Sequence, residues 1–262
     1  MIPKVIHYCW FGRNPKPELA NKCIKSWKKF FPDYEIKEWN EDNFDVNIIP
    51  YTKEAYEAKK YAFVSDYARF WILYKYGGIY FDTDVEVVKS FDDIISKGSW
   101  MGYEFNITSH YINGAINPGL GFGCSAKTEL LHDLLDVYAK TRFNINGVYN
   151  IKTIVAYTTE AFINRGLEIK DGLQECCDFT IYPIDYFNPL NSKTRKIELT
   201  ENTRSIHHYM ASWSNDTFTT KIIKFIKNRV IVKIIPRGIT EYIVKKKKAK
   251  RENIIKEAQK DK

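Results

Sequence analysis

Cysteine and long apolar runs are both scarce in this 262-residue chain. The five cysteines, Cys9, Cys23, Cys124, Cys176 and Cys177, show no metal-type spacing. An odd count with one adjacent pair argues against a disulfide framework, and reduced thiols in the cytoplasm are the simpler assignment. No stretch approaches the roughly 20 apolar residues of a membrane span. The first residues also lack the basic leader, apolar core and small-residue cleavage site of a secretory signal. Zinc-finger, RNA-recognition and helix-turn-helix patterns are missing too, so nucleic acid is not an expected partner. There is no internal repeat, and low-complexity character begins only after about Lys245.

What is present is the composition of an ordinary enzyme-sized globule, 44% hydrophobic and 15% aromatic, enough to bury one sizeable core. The net charge of +8 is misleading as an average. From Lys221 to Lys262 there are 15 Lys and Arg against 4 Asp and Glu, which leaves 25 basic and 28 acidic residues for the rest. The expected organisation is one domain over 1–220 and a basic tail over 221–262. That tail mixes Ile222, Phe225, Ile231 and Ile235 with lysines before Lys245-Lys246-Lys247-Lys248. Such a segment suits an anionic membrane surface, with about 1 kcal/mol per Lys or Arg close to the leaflet. It shows no clean apolar stripe on a helical wheel, so packing onto the body is the competing reading.

The most informative stretch is Gly77-Gly78-Ile79-Tyr80-Phe81-Asp82-Thr83-Asp84. In an extended strand the side chains of i and i+2 point the same way, so Asp82 and Asp84 can face one hard cation, or a cation and a sugar hydroxyl. The preceding Ala62 to Tyr76 reads as a buried helix stopped by Gly77-Gly78. On it Asp66 and Arg69 share a face, with Ser65 beside them. An isolated i,i+3 salt bridge is the bland account of that pair, but its neighbours are mostly apolar.

The coarse layout is α/β. Strands are expected at Lys4 to Trp10, Tyr34 to Trp39, Ile79 to Asp82 and, briefly, Val85 to Val88. Helices are expected at Pro17 to Phe30, Thr52 to Tyr76 (one or two), Glu129 to Lys140 and Ile151 to Arg165, with Leu130, Leu131, Leu134, Leu135 and Val137 inward on the third. Ligands of open α/β sheets collect at the carboxyl ends of the strands, where Trp10 and the aspartate pair both fall. His110 to Gly123 is too rich in Gly and Asn for regular structure, and its four glycines suggest close backbone approach to a ligand.

Ser65-Asp66-x-x-Arg69 followed by Tyr76-Gly77-Gly78-Ile79-Tyr80-x-Asp82-x-Asp84 resembles the signature of glycosyltransferase family 32, which includes relatives of the glucosylating bacterial toxins. Ile2 to Gly12 resembles the family's opening strand, and His207-His208-Tyr209-Met210-Ala211-Ser212-Trp213 the segment that closes its metal site. The resemblance covers roughly the first four fifths of the chain. It implies a GT-A fold, a Rossmann-like mixed sheet flanked by helices, and a metal-dependent transferase that retains anomeric configuration. It further implies a UDP-sugar donor held by His7, Trp10 (stacked on the base), Ser65, Asp66, Arg69, Tyr80, Asp82, Asn113, Asn117, Ser212 and Trp213. Catalytic roles fall to Asp66, Arg69, Asp82 and Asp84. Metal ligands would be Asp82, Asp84 and His208, with His207 as fallback, and Mn2+ is favoured over Mg2+ because imidazole suits softer metals.

Several alternatives stay open at this point. The competing reading of Trp10 is a core aromatic and of the histidine pair a packing feature, both the lesser alternative, while Asn113 and Asn117 are as easily Asx turns. Asp82-Thr83-Asp84-Val85 also fits the nucleophile motif of haloacid-dehalogenase phosphatases, and a nucleotide-sugar-binding protein without turnover is a third reading. The acceptor expected from the basic tail is a lipid-linked oligosaccharide or polysaccharide at the inner face of the cell membrane. A toxin-like protein substrate is disfavoured, because those proteins carry large delivery regions.

Overall fold

The computed structural model describes residues 1–105, 115–168, 170, 172–191, 194 and 196–210. The chain divides into two compact units, Met1–Phe143 with Ile151–Met210, and Asn144–Asn150 with Ala211–Lys262. The boundary expected at residue 220, and the tail beyond it, lie outside the described residues. In the second unit only a hairpin is described, β7 (Asn144–Ile145) against β8 (Val148–Tyr149), turned by Asn146 and Gly147 at φ 52° and 83°. Asn-Gly is the pair that a two-residue turn with both φ positive favours.

In the first unit, β1 (Val5–Cys9), β2 (Glu35–Trp39) and β3 (Gly78–Tyr80) are parallel, with β1 in the middle. The sheet continues through β6 (Phe122–Cys124), β5 (Ser99–Gly102), β10 (Phe179–Tyr182) and β9 (Gln174–Cys176), in the order β2-β1-β3-β6-β5-β10-β9. Antiparallel β6 makes it mixed. Two further strands, β4 (Val85–Val87) and β11 (Ser205–His207), pair with each other as a separate ribbon.

Alternation along the strands sorts the core into two layers. Cys9, Tyr80, Met101, Phe122 and Ile181 pack with α2 (Pro50–Glu57), α3 (Tyr61–Tyr76), α5 (Glu129–Ala139) and α6 (Ile154–Asn164). Ile6, Tyr8, Ile79, Phe81, Trp100 and Tyr182 face α1 (Glu18–Phe30), α4 (Asp92–Ile95) and α7 (Ile184–Phe187). The architecture is the α/β mixed sheet flanked by helices that was expected.

Local choices explain the elements that place the site. Pro50 opens α2 at its first turn, where no N–H is required. Gly77 ends α3 at φ 65°, a left-handed conformation that removes the Cβ penalty. Trp27 of α1 donates its Nε1–H to Val85 O at 2.8 Å, tying that helix to β4.

Two expectations need correction. Val137 is 42% exposed and Tyr138 fully buried, because α5 turns its stripe toward α3 and not toward solvent. Within the glycine-rich stretch, Phe122–Cys124 is a strand after all, and Pro118–Leu120 is a 3-10 turn. Gly123 belongs there because a Cβ would lie 2.5 Å from Trp100 Nε1.

Candidate metal and sugar-binding site

Strand β3 stops at Tyr80, two residues earlier than expected, and the chain then turns tightly, with Val85 N–H donating to Asp82 O at 3.0 Å. Asp82 and Asp84 therefore converge from a turn and not along one strand face. Strand β11 lies antiparallel to β4 with His207 opposite Val85, which brings its imidazole to the same place. Ligand atoms of Asp82, Asp84 and His207 lie within 4.8 Å of one another.

The neighbouring histidine goes elsewhere. Successive side chains leave a strand on opposite sides, and His208 Nε2 meets Glu86 Oε2 at 2.9 Å, where Lys22 Nζ also lies at 2.9 Å. Of the two histidines considered as third ligand, His207, the fallback, lies with the aspartates, and His208 does not.

Asp84 is held by His207 and by the backbone of Met210. Its Oδ1 lies 3.2 Å from His207 Nε2, and its Oδ2 accepts Met210 N–H at 2.8 Å. Burial would raise its pKa, but these contacts win and hold it below the ordinary carboxylate value. For His207 burial pulls downward, and the hydrogen bond and charge of Asp84 overcome it, so the imidazole pKa is raised. The other ring nitrogen, Nδ1, is buried without a partner among the described residues. Two carboxylates and an imidazole are a donor set that fits a divalent first-row ion such as Mn2+.

Asp82 faces a different neighbour. Arg69 reaches it through NH1 to Oδ2 (3.2 Å) and NH2 to Oδ1 (3.1 Å), and Tyr80 donates its hydroxyl to Oδ1 at 3.2 Å. Arg69 also donates NH2 to Asp66 Oδ1 at 3.2 Å and Nε to Ser65 O at 3.1 Å. Its guanidinium is 4% exposed, so this is no surface bridge. Burial pushes the Asp66 carboxyl up to about 7, with Arg69 only partly opposing it and Asp82 adding to the rise. Both Asp82 oxygens are thus engaged by Arg69 and Tyr80.

The remaining expected residues divide. Trp10 follows β1 at the sheet's carboxyl edge, half-buried, its Nε1–H on Asn14 O at 2.6 Å. Ser65 lies on α3 with its hydroxyl donating to Tyr61 O at 3.2 Å. Asn117 is buried beside the site, and its Oδ1 accepts Gly119 N–H at 2.6 Å, the Asx-type cap anticipated as an alternative. Gly119 itself presses on the cluster, since a Cβ would fall 2.5 Å from Asp82 Oδ2. Asn113, Ser212 and Trp213 lie outside the described residues.

His7 needs correction as a donor contact. It is 2% exposed, its Nδ1 accepts Trp39 Nε1–H at 3.0 Å, and its Nε2 lies 3.1 Å from Gly77 O. A central parallel strand is covered on both faces, so a polar residue there is locked into the interior. Sequence reading missed Glu104, Tyr209 as a side chain, and the Met210 N–H. None of them carries a local pattern that would have marked it.

Residues 17–100 match the family described as a glycosyltransferase sugar-binding region containing DXD motif. The matched region is about a third of the chain. It runs from α1 to β5 and includes Asp66, Arg69, Asp82 and Asp84, so the resemblance read from those residues is borne out, over a shorter span than four fifths. An inositol phosphoceramide mannosyltransferase (number 3) of Schizosaccharomyces pombe is 35% identical over 104 residues, 38% of this chain and 29% of that protein. An uncharacterized glycosyltransferase of Acanthamoeba polyphaga mimivirus is 33% identical over 124 residues, 44% of this chain and 49% of that one. Both matches span less than half of the relative's own length. A solved structure named PaToxG Glycosyltransferase is similar with a TM-score of 0.46 at 20% identity, over 62% of this chain and 69% of the other.

Proposed function

We propose that this protein is a metal-dependent, retaining glycosyltransferase that moves a sugar from a nucleotide-sugar, a UDP-sugar in the first instance, to a lipid-linked surface oligosaccharide or polysaccharide. The observation that carries it is the meeting of Asp82, Asp84 and His207 within 4.8 Å, beside the buried Arg69. Asp84 and His207 would hold Mn2+ or Mg2+, with Asp82 shared between the ion and hydroxyls of the donor. A cation bound there would neutralise the charge that a nucleoside diphosphate acquires on leaving the sugar. Asp66 and Arg69 orient sugar hydroxyls, and their burial fixes the fork of the guanidinium before substrate arrives. Trp10, half-buried at the carboxyl edge of β1, offers a face for the base.

Among the described residues we place no further carboxylate as a covalent nucleophile, so retention is assigned to front-face substitution, in which the departing phosphate takes the acceptor's proton. An NMR assay finding an inverted product rejects that assignment. The lipid-linked acceptor is supported by relatives named for inositol phosphoceramide and by the basic segment after Lys221. Through that segment the enzyme would sit on the inner face of the cell membrane. Liposome flotation with and without residues 221–262 tests this, and equal binding by both forms removes it. The reaction itself is tested by screening UDP- and GDP-sugars for Mn2+-dependent hydrolysis. Turnover that is abolished by chelation and in Asp84→Ala is expected; turnover untouched by both overturns the reading.

A further inference from the structure

A metal-binding histidine is ordinarily oriented by a hydrogen bond through its second ring nitrogen. His207 has no such bond, since Nδ1 finds no partner among the described residues. Something else must fix the rotation of its ring. The group in place is Tyr209, whose ring stands at 89° to the imidazole with centroids 4.2 Å apart.

Tyr209 is itself held from three directions. Its backbone is left-handed, at φ 50°, a region that bulky residues seldom occupy without surrounding constraint. The flanking peptide groups supply that constraint, because His208 N–H donates to Asp84 O at 3.0 Å and Met210 N–H to Asp84 Oδ2 at 2.8 Å. At the far end of the ring the hydroxyl faces the carboxylate of Glu104, close enough for each to act on the other. Glu104 is in turn anchored by its main chain, with its N–H on Ala115 O at 2.6 Å and its carbonyl accepting Asn188 Nδ2 at 2.7 Å. Tyr209 is therefore fixed by its own backbone against the imidazole, with the main-chain-anchored Glu104 beside its hydroxyl.

We propose that Tyr209, locked by its backbone and flanked by Glu104, is the positioning residue for His207 in the metal site. The proposal rests on the metal-dependent reading above. Neither residue touches the ion; both act by setting the angle at which the imidazole meets Asp84.

Mn2+ binding to the full chain, followed by the loss of the free-ion electron paramagnetic resonance signal with UDP present and absent, tests it. Tyr209→Phe keeps the ring and removes the hydroxyl, and Glu104→Gln removes the charge at constant shape. Each should weaken Mn2+ about tenfold, within the range for outer-shell partners of metal ligands. The His207 ring resonances of the metal-free protein should broaden or shift in both, while urea midpoints stay close to wild type. A folded Tyr209→Phe with wild-type affinity and unchanged His207 resonances overturns the proposal. His207→Ala separates the two levels. If it binds Mn2+ as tightly as wild type, the metal reading fails and this inference with it. If it loses the ion while Tyr209→Phe does not, the positioning role alone falls.

Discussion

Lowering the pH from 7 to 5 should cost the folded protein about 2 kcal/mol through His7 alone. The imidazole is buried, accepts Trp39 Nε1–H on Nδ1 and has Gly77 O at its Nε2, so the neutral Nε2–H tautomer satisfies both partners. Adding a proton to Nδ1 would set two N–H groups against each other in an interior with no counter-charge. Burial accordingly holds the pKa at about 4, against an ordinary value of 6.5, with the Gly77 hydrogen bond opposing and Lys37 assisting. Between those two values the unfolded chain binds a proton that the folded chain refuses. The stabilisation is therefore complete above pH 6.5 and is lost as the pH falls toward 4. The full gap is worth roughly 3 kcal/mol, and the interval from pH 7 to 5 covers about 2 kcal/mol of it. Urea unfolding of wild type and His7→Gln at both pH values isolates the effect, because every other group titrates in both proteins. His7→Gln should be less stable at pH 7 and lose about 2 kcal/mol less on acidification. Equal acid losses in the two proteins would refute the interior assignment of His7.

Three further outcomes follow from the site. Arg69→Met leaves Asp66 and Asp82 without their shared cation, and unfolding free energy should drop by about 3–5 kcal/mol; a loss below about 1 kcal/mol would mean the pair is solvated like a surface bridge. Gly119→Ala puts a methyl where Asp82 Oδ2 and Asn117 Oδ1 stand, at 2.5 and 2.8 Å, so Mn2+ affinity and donor hydrolysis should fall together, with a stability loss of about 1–3 kcal/mol; a wild-type metal isotherm would show that the loop yields without moving Asp82. Trp10→Ala should weaken UDP by about tenfold in calorimetry at saturating Mn2+, the scale of one base–aromatic stack, with little change in the urea midpoint; unchanged UDP affinity would return Trp10 to a packing role.

The legible parts of this chain were those set by local pattern. Helix α3 and its stop at Gly77 followed from periodicity and a glycine, and the i,i+3 pair of Asp66 and Arg69 from helix geometry alone. The site became harder to read wherever distant segments decide it. Which of His207 and His208 joins the aspartates depends on the register of β11 on β4, over a hundred residues earlier in the chain, and two adjacent histidines give no hint of it. His7 was misplaced for a related reason. Its strand is covered on both faces, so polarity in an N-terminal motif did not mean access to ligand. Strand β6 hid among glycines that serve the close approach of Trp100, a packing demand with no signature of its own.

The separate ribbon of β4 and β11 has a consequence for synthesis on the ribosome. Asp82 and Asp84 emerge early, yet the imidazole that lies beside them is supplied only after some 120 more residues have been translated. On the proposed reading, a nascent chain passes through a long interval with no competent cation trap, and tight uptake of the ion becomes a marker that β11 has docked on β4.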